Sequence, residues 1–158
     1  MYVVRRWSVR NARLLELIYR WFEGVLKFLH PLWSIIGYER IERPVSFIEK
    51  CIKETFFDCR MCGVCLLGDS GMSCPMNCPK ELRNGPCGGV REDGGCEVLP
   101  AMRCVWVDAW TGSKTMRNAS GMLKVQAALP NTQRGHSSWL REVRLGKIAM
   151  PQGRELQR

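Results

Sequence analysis

The sequence predicts a small, mainly α protein. N-terminal helices lead into a loop-rich, Cys-rich, metal-stapled core with at most short strands, and a C-terminal arm carries a short helix. Three observations predict this. Apolar residues recur with helical period over residues 11–30 and 45–57. Eight of the nine cysteines crowd between Cys59 and Cys104, and the stretch 68–98 holds seven glycines and three prolines. At 158 residues the chain has room for one modest core. The regions expected are 1–50, a helical docking arm; 51–112, the metal-binding domain; and 113–158, an extended arm with a short helix.

The opening stretch MYVVRRWSVRNARLLEL has no unbroken apolar core and no small-residue cleavage site. It does not read as a secretory signal, and a reducing, cytoplasmic setting is expected. In NARLLELIYRWFEGVLKFLH, residues 11–30, Leu14, Leu15, Ile18, Trp21, Phe22, Val25, Leu26 and Leu29 fall at helical spacing, with Glu16, Arg20, Glu23 and Lys27 on the other side. Asn11 is the expected cap and His30-Pro31 the stop. A membrane span needs about twenty apolar residues with few charges, and here charges interrupt. The alternation of acid and base suits water better than a lipid surface. This face is therefore expected to join a core or to dock on a partner.

Residues 30–44 read as a loop with a short apolar segment closed by Gly37. Pro44 is expected in the first turn of a second helix, 45–57, with Val45, Ile48, Ile52 and Phe56 along its apolar side. Cys51, beside that stripe, reads as a small buried hydrophobe outside the site. From Cys59 to Cys104 glycine and proline break helices, and so long an irregular segment in a small chain calls for a ligand to organise it. CVWVDAW, 104–110, predicts a short strand from its alternating valines. Residues 111–136 predict an extended arm, and 137–146 a short tethering helix with a serine cap and Trp139, Leu140 and Val143 on one face.

The net charge is +9, unevenly spread: residues 1–50 carry nine Lys/Arg against five Asp/Glu, 51–104 six against seven, and 105–158 nine against three. Basic flanks around a thiol-rich, slightly acidic middle suit either neutralisation of a metallated centre or an acidic partner. No basic run interleaved with aromatics forms a nucleic-acid recognition module. There is no P-loop, no dinucleotide-binding G-x-G-x-x-G, no G-x-S-x-G and no H-E-x-x-H.

In a reducing compartment, closely spaced cysteines point to metal ligation. The candidate ligands are Cys59, Cys62, Cys65, Cys74, Cys78, Cys87, Cys96 and Cys104. His30 and His136 lie outside this array, so the shell is expected to be all sulfur, which leaves zinc or iron–sulfur. Zinc usually takes two separated C-x2-C pairs. CRMCGVC instead places three thiols at successive two-residue steps, which suits the distinct iron corners of a cubane. CPMNCP then supplies C-x3-C-P at a distance. The preferred partition gives Cys59, Cys62 and Cys65 to one centre with Cys74 or Cys78 as fourth ligand, and most of Cys87, Cys96 and Cys104 to a second.

CPKELRNGPCGG, residues 78–89, followed by GGCEV and CVW, resembles the cysteine-rich C-terminal domain associated with bacterial and archaeal methylenetetrahydrofolate reductases, found fused to the reductase or as a separate small subunit. The resemblance covers roughly residues 50–112, with seven or eight cysteines in register and the glycines, Asn84 and Pro86 falling between the thiols. The leading arm resembles stand-alone proteobacterial versions. What this implies is a companion to the enzyme that reduces methylenetetrahydrofolate on a flavin inside a TIM barrel. That fold typically takes about 250 residues, so this chain is not expected to bind folate or flavin alone. The resemblance further implies one or two four-iron four-sulfur (4Fe-4S) clusters, with zinc possible at one site. It also implies a flavin-containing methylenetetrahydrofolate reductase subunit as partner, and a role as iron–sulfur electron-transfer or accessory subunit in one-carbon metabolism. The alternative is a zinc-stabilised module that orients or stabilises the reductase without redox chemistry. No residue is expected to be catalytic by itself; helix 11–30, the basic flanks and the Trp139 helix are the expected docking surfaces.

Overall fold

The structure, a computed structural model, describes residues 2–148. Among them are six α-helices: α1 (Tyr2–Arg10), α2 (Ala12–Phe28), α3 (His30–Ile36), α4 (Tyr38–Phe57), α5 (Val105–Ser113) and α6 (Ser138–Ile148). No strand forms among the described residues; pairing is confined to the isolated antiparallel bridges Val90–Cys96 and Gly95–Arg103. The mainly helical expectation holds.

Helix α2 occupies nearly the expected span, but Asn11 does not cap it. Its side-chain amide donates back to the Trp7 carbonyl at 2.9 Å, and its backbone links α1 to α2 in an almost continuous run. The segment read as a loop is two helices. Pro31 sits in the first turn of α3, where its missing N–H costs nothing. Gly37, at φ +92°, makes the turn into α4. Pro44 therefore lies inside α4 rather than at its start. Ile41, buried before it, and Val45, packed against Leu26, Trp139 and Val143 after it, hold the helix through that break.

The face α4 buries also differs from the expected one. Ile48, Ile52 and Phe56 are exposed, and the buried stripe is Ile41, Glu49, Lys53 and Phe57. Cys51, read as buried, is exposed on α4 because the inward stripe falls elsewhere. The predicted strand 104–110 is instead α5. Val105, Trp106, Asp108, Ala109, Gly112 and Ser113 are its buried positions, a helical rather than an alternating set. Asp108 in its first turn receives Arg103 Nε at 2.8 Å.

Residues 111–136 contain two short 3-10 turns, Ala119–Leu123 and Asn131–Gln133, and are strapped to the rest. Asn84 and Gln126 exchange hydrogen bonds of 3.0 and 2.6 Å, Gly135 N–H donates to Met61 O at 2.8 Å, and Glu16 receives the N–H groups of Arg117 and Asn118. The α6 face is as expected, with Ser137 capping it by accepting the Leu140 N–H at 3.2 Å. It serves as core rather than tether: Trp139 and Val143 pack with Leu26, Phe22 and Trp33. No described helix is long and apolar enough to cross a membrane.

Candidate metal centre

The cysteine triplet leaves α4 through Asp58, whose left-handed φ of +53° ends the helix. Met61 (φ +45°) and Gly63 (φ +76°) then coil the chain tightly enough to turn all three cysteines the same way. Gly63 is required: a Cβ there would lie 2.0 Å from the carbonyl oxygen of Gln133, which clamps the loop from outside. The chain returns through residues 66–73 to present Cys74. That return is fixed by close backbone approach to α5, where a Cβ on Gly71 would meet Ala109 O at 2.1 Å and one on Gly112 would meet Gly71 O at 2.1 Å. Ser70 secures the turn by donating to the carbonyls of Leu66 and Ser73.

The result is a small internal cavity lined by Cys59, Cys62, Cys65 and Cys74, with Met76, Lys53 and Arg83 in its wall. Cys62 and Cys74 belong to the buried apolar cluster with Phe57, Leu67, Met72 and Met116. Three of the four sulfurs have a hydrogen-bond donor aimed at them. Met61 N–H approaches Cys59 Sγ at 3.4 Å, Arg83 Nη1 approaches Cys62 Sγ at 3.6 Å, and the Tyr19 hydroxyl donates to Cys65 Sγ at 3.5 Å. Donors of this kind favour the thiolate, the form that binds metal.

Burial works against ionisation until a cation arrives. It pushes Cys74 up to about 12, with the neighbouring Cys59, Cys65 and Cys62 adding to the shift, and pushes Cys59 up to about 11 despite the help of Met61 N–H and Lys53. Burial also raises Tyr19, keeping its hydroxyl a donor. For Lys53 burial alone lowers the pKa, but Cys65, Tyr19 and Glu49 outweigh it and hold the ammonium well above the ordinary value.

The donor chemistry fits a metal centre: four clustered sulfurs, three of them with a hydrogen-bond donor, beside two cations. The spacing does not fit a single ion as it stands. Among the described residues no three His, Cys, Asp or Glu side chains converge on one ion position, whereas Zn–S bonds of about 2.3 Å draw tetrahedral sulfurs to within about 4 Å of one another. The cavity measures about 20 Å³, so loading either an ion or a cluster requires the 59–74 loop to adjust.

The other candidates sit elsewhere. Cys78 is buried beyond the 3-10 turn Pro75–Asn77 and does not line this cavity. Cys87 Sγ lies 3.8 Å from Glu97 Oε1, which is paired with Lys80. Cys96 and Cys104 are brought near each other by the Gly95–Arg103 bridge, with Cys96 N–H donating to Met102 O and Cys104 N–H to Gly94 O.

Two neighbours of the thiols carried no signal in the cysteine spacing. One is Arg83, five residues after Cys78. The other is the buried pair of Glu49 and Lys53, whose i, i+4 spacing resembles that of any solvated helix pair. Glu49 Oε1 lies 2.7 Å from Lys53 Nζ, with both side chains 2% exposed. Ser137 Oγ, Ser138 N–H and Trp139 N–H also donate to the Glu49 carboxylate, which thereby seats on the N-terminus of α6. An open cleft of about 590 Å³, lined by Tyr19, Phe22, Met72 and Trp139 among others, also reaches Cys65.

Fold and site together define a small helical module built around clustered, hydrogen-bonded cysteines. Residues 38–132 match the family described as the methylene-tetrahydrofolate reductase C-terminal region, and the chain belongs to that family. No curated protein and no solved structure matches it.

Proposed function

We propose that this chain is an iron–sulfur accessory subunit of a methylenetetrahydrofolate reductase, passing electrons toward the flavin of a separate TIM-barrel subunit. Family membership ties it to the reductase. The observation that carries the redox reading is the set of Cys59, Cys62, Cys65 and Cys74 around one cavity, three of the sulfurs with their own hydrogen-bond donors. Four thiolates spread around a space without meeting at a point suit the separate iron corners of a cubane better than one tetrahedral ion. Bound there, a cluster supplies one-electron transfer at a potential set by hydrogen bonds to its sulfurs and by exposure.

The protein's own residues define the route. All four cysteines line the small cavity, and Cys65 also lines the wider cleft. Trp139 Nε1 donates to the Tyr19 hydroxyl at 3.2 Å, and Tyr19 donates to Cys65, so the cleft wall is hydrogen-bonded to the ligand set. Cys78, Cys87, Cys96 and Cys104 are proposed to serve a second centre, for which zinc suffices.

Anaerobic purification followed by quantification of iron, zinc and acid-labile sulfide tests this reading, with visible spectra before and after dithionite. Iron with sulfide and a bleachable spectrum is the expected result; zinc without sulfide leaves the structural module as the function. Cys62→Ser is expected to abolish one centre and lower the activity of the reconstituted complex while leaving the isolated reductase barrel unchanged. Full activity with the centre lost would make that centre structural.

A further inference from the structure

We propose that Lys53 and Arg83 are the built-in counter-ions of the four-thiolate centre, and that the N-terminus of α6 is what leaves Lys53 available for this role. The inference rests on the reading of Cys59, Cys62, Cys65 and Cys74 as ligands, and holds for either a cluster or a zinc ion.

Four thiolates around a divalent ion, or around a cubane in its usual oxidised state, leave an excess of two negative charges in an apolar pocket. A buried net charge is costly unless opposite charge is fixed beside it. Two cations line this cavity. Arg83 reaches it with Nη1 3.6 Å from Cys62 Sγ and 3.4 Å from Met76 Sδ, while Nη2 donates to Val64 O at 3.2 Å. Its Nε is buried without a hydrogen-bond partner, so the guanidinium keeps unused donor capacity beside the sulfurs.

Lys53 is the less obvious member, because its nearest partner is a carboxylate that would cancel its charge. Glu49, however, is held chiefly by another element. The Ser138 and Trp139 N–H groups and the Ser137 and Ser138 hydroxyls all donate to it, at 3.2, 3.3, 2.6 and 2.5 Å. These are groups at the start of an 11-residue helix, whose N-terminus carries partial positive charge. With Glu49 shared in this way, the ammonium, which also donates to Ser138 Oγ at 2.7 Å, stays in the wall of the cavity with Cys59, Cys62, Cys65 and Cys74 and lies 5.5 and 5.2 Å from the ring centres of Tyr19 and Trp139. Those rings flank the charge and help keep it from water, the side chain being 2% exposed. The placement of α6 thus governs the field at a site to which it contributes no ligand.

Anaerobic titration of the metal-free chain with Co2+ alone, in a Cys87→Ser, Cys96→Ser background that removes the proposed second centre and serves as the wild type of the series, followed by the sulfur-to-cobalt charge-transfer absorption, tests this without any catalytic assay. Lys53→Met alone leaves Glu49 unpaired and threatens folding, so the variant used is Glu49→Gln with Lys53→Met. Circular dichroism verifies the fold of every variant. That double variant and Arg83→Met are each expected to weaken Co2+ binding about 10–100-fold, the usual effect of losing a residue that supports metal ligands. Arg83→Lys, which keeps the charge, is expected to retain most of the affinity, and Lys114→Met, whose ammonium lies over Trp110, all of it. Wild-type affinity in folded forms of both charge-removing variants would overturn the inference, as would an equal loss in Arg83→Lys and Arg83→Met. Absence of the absorption in the wild type would sink the ligand assignment itself, and this inference with it.

Discussion

Lys53 shows how one side chain can serve the core and the site together. Its charge is buried with Glu49, and two serines and a helix end complete the hydrogen bonding. Removing one member leaves the other buried and uncompensated, at a cost of about 3–5 kcal/mol. Glu49→Ala is therefore expected to lower the urea midpoint sharply, and Glu49→Gln with Lys53→Met to recover much of it. A double-mutant cycle checks the coupling. The thiols add a pH dependence. Cys59 and Cys74 are pushed from 9.0 to about 11 and about 12 on folding. Between pH 9 and those values the unfolded chain has released protons that the folded chain retains, so stability is whole below pH 9 and falls as pH rises. Lys53, also raised on folding, acts in the same direction above 10.5. Urea midpoints of the metal-free chain are expected to decline steadily from pH 9 upward, with a shallower decline in Cys74→Ser.

At the scale of elements, the position of Cys74 depends on two glycines that let α5 touch the returning loop. Gly112→Ala drives a methyl group into Gly71 O and is expected to cost about 1–3 kcal/mol through forced separation, with reduced metal occupancy because Cys74 moves with the loop. Gly24, in the middle of α2, faces open space: a Cβ there would meet nothing within 4 Å. Gly24→Ala is expected to stabilise by about 1 kcal/mol, the difference in helix propensity. Thermal unfolding of the two variants checks both signs. The same scale explains which elements were legible. Helix α2 carries its period over 17 residues, whereas α5, at nine residues with valines at alternate positions, fits either template until its packing partners are known. The inward face of α4 was misread because its buried stripe includes an ion pair, and hydrophobic patterning assigns charge to solvent.

For the molecule as a whole, the apolar arc of α2 is wider than its neighbours cover. Ala12, Leu15, Tyr19, Phe22 and Leu26 pack inward, while Leu14, Leu17, Ile18, Trp21 and Phe28 stay exposed, Trp21 by 71% and Phe28 by 82%. On the proposed function this is the face presented to the reductase. Trp21→Glu is expected to abolish co-purification with the barrel subunit while changing the chain's own stability by no more than about 0.5 kcal/mol. Retained association would move the docking surface elsewhere. Residues 62–78, by contrast, are largely buried: α4 leads into them, α5 closes behind them, and residues 126–136 strap the segment from outside.

By itself the sequence determined the thiol set, the two-residue steps of CRMCGVC, helix α2 and the buried face of α6. These depend on local spacing, and one turn of chain is enough to express them. Only the tertiary structure decided that Cys74 rather than Cys78 lines the cavity with the triplet, that Arg83 and Lys53 stand beside the sulfurs, and that α6 holds Glu49. Each of those is a meeting of distant segments, fixed by close backbone contact and by the need to satisfy every charge taken out of water. Spacing along the chain carries no record of either.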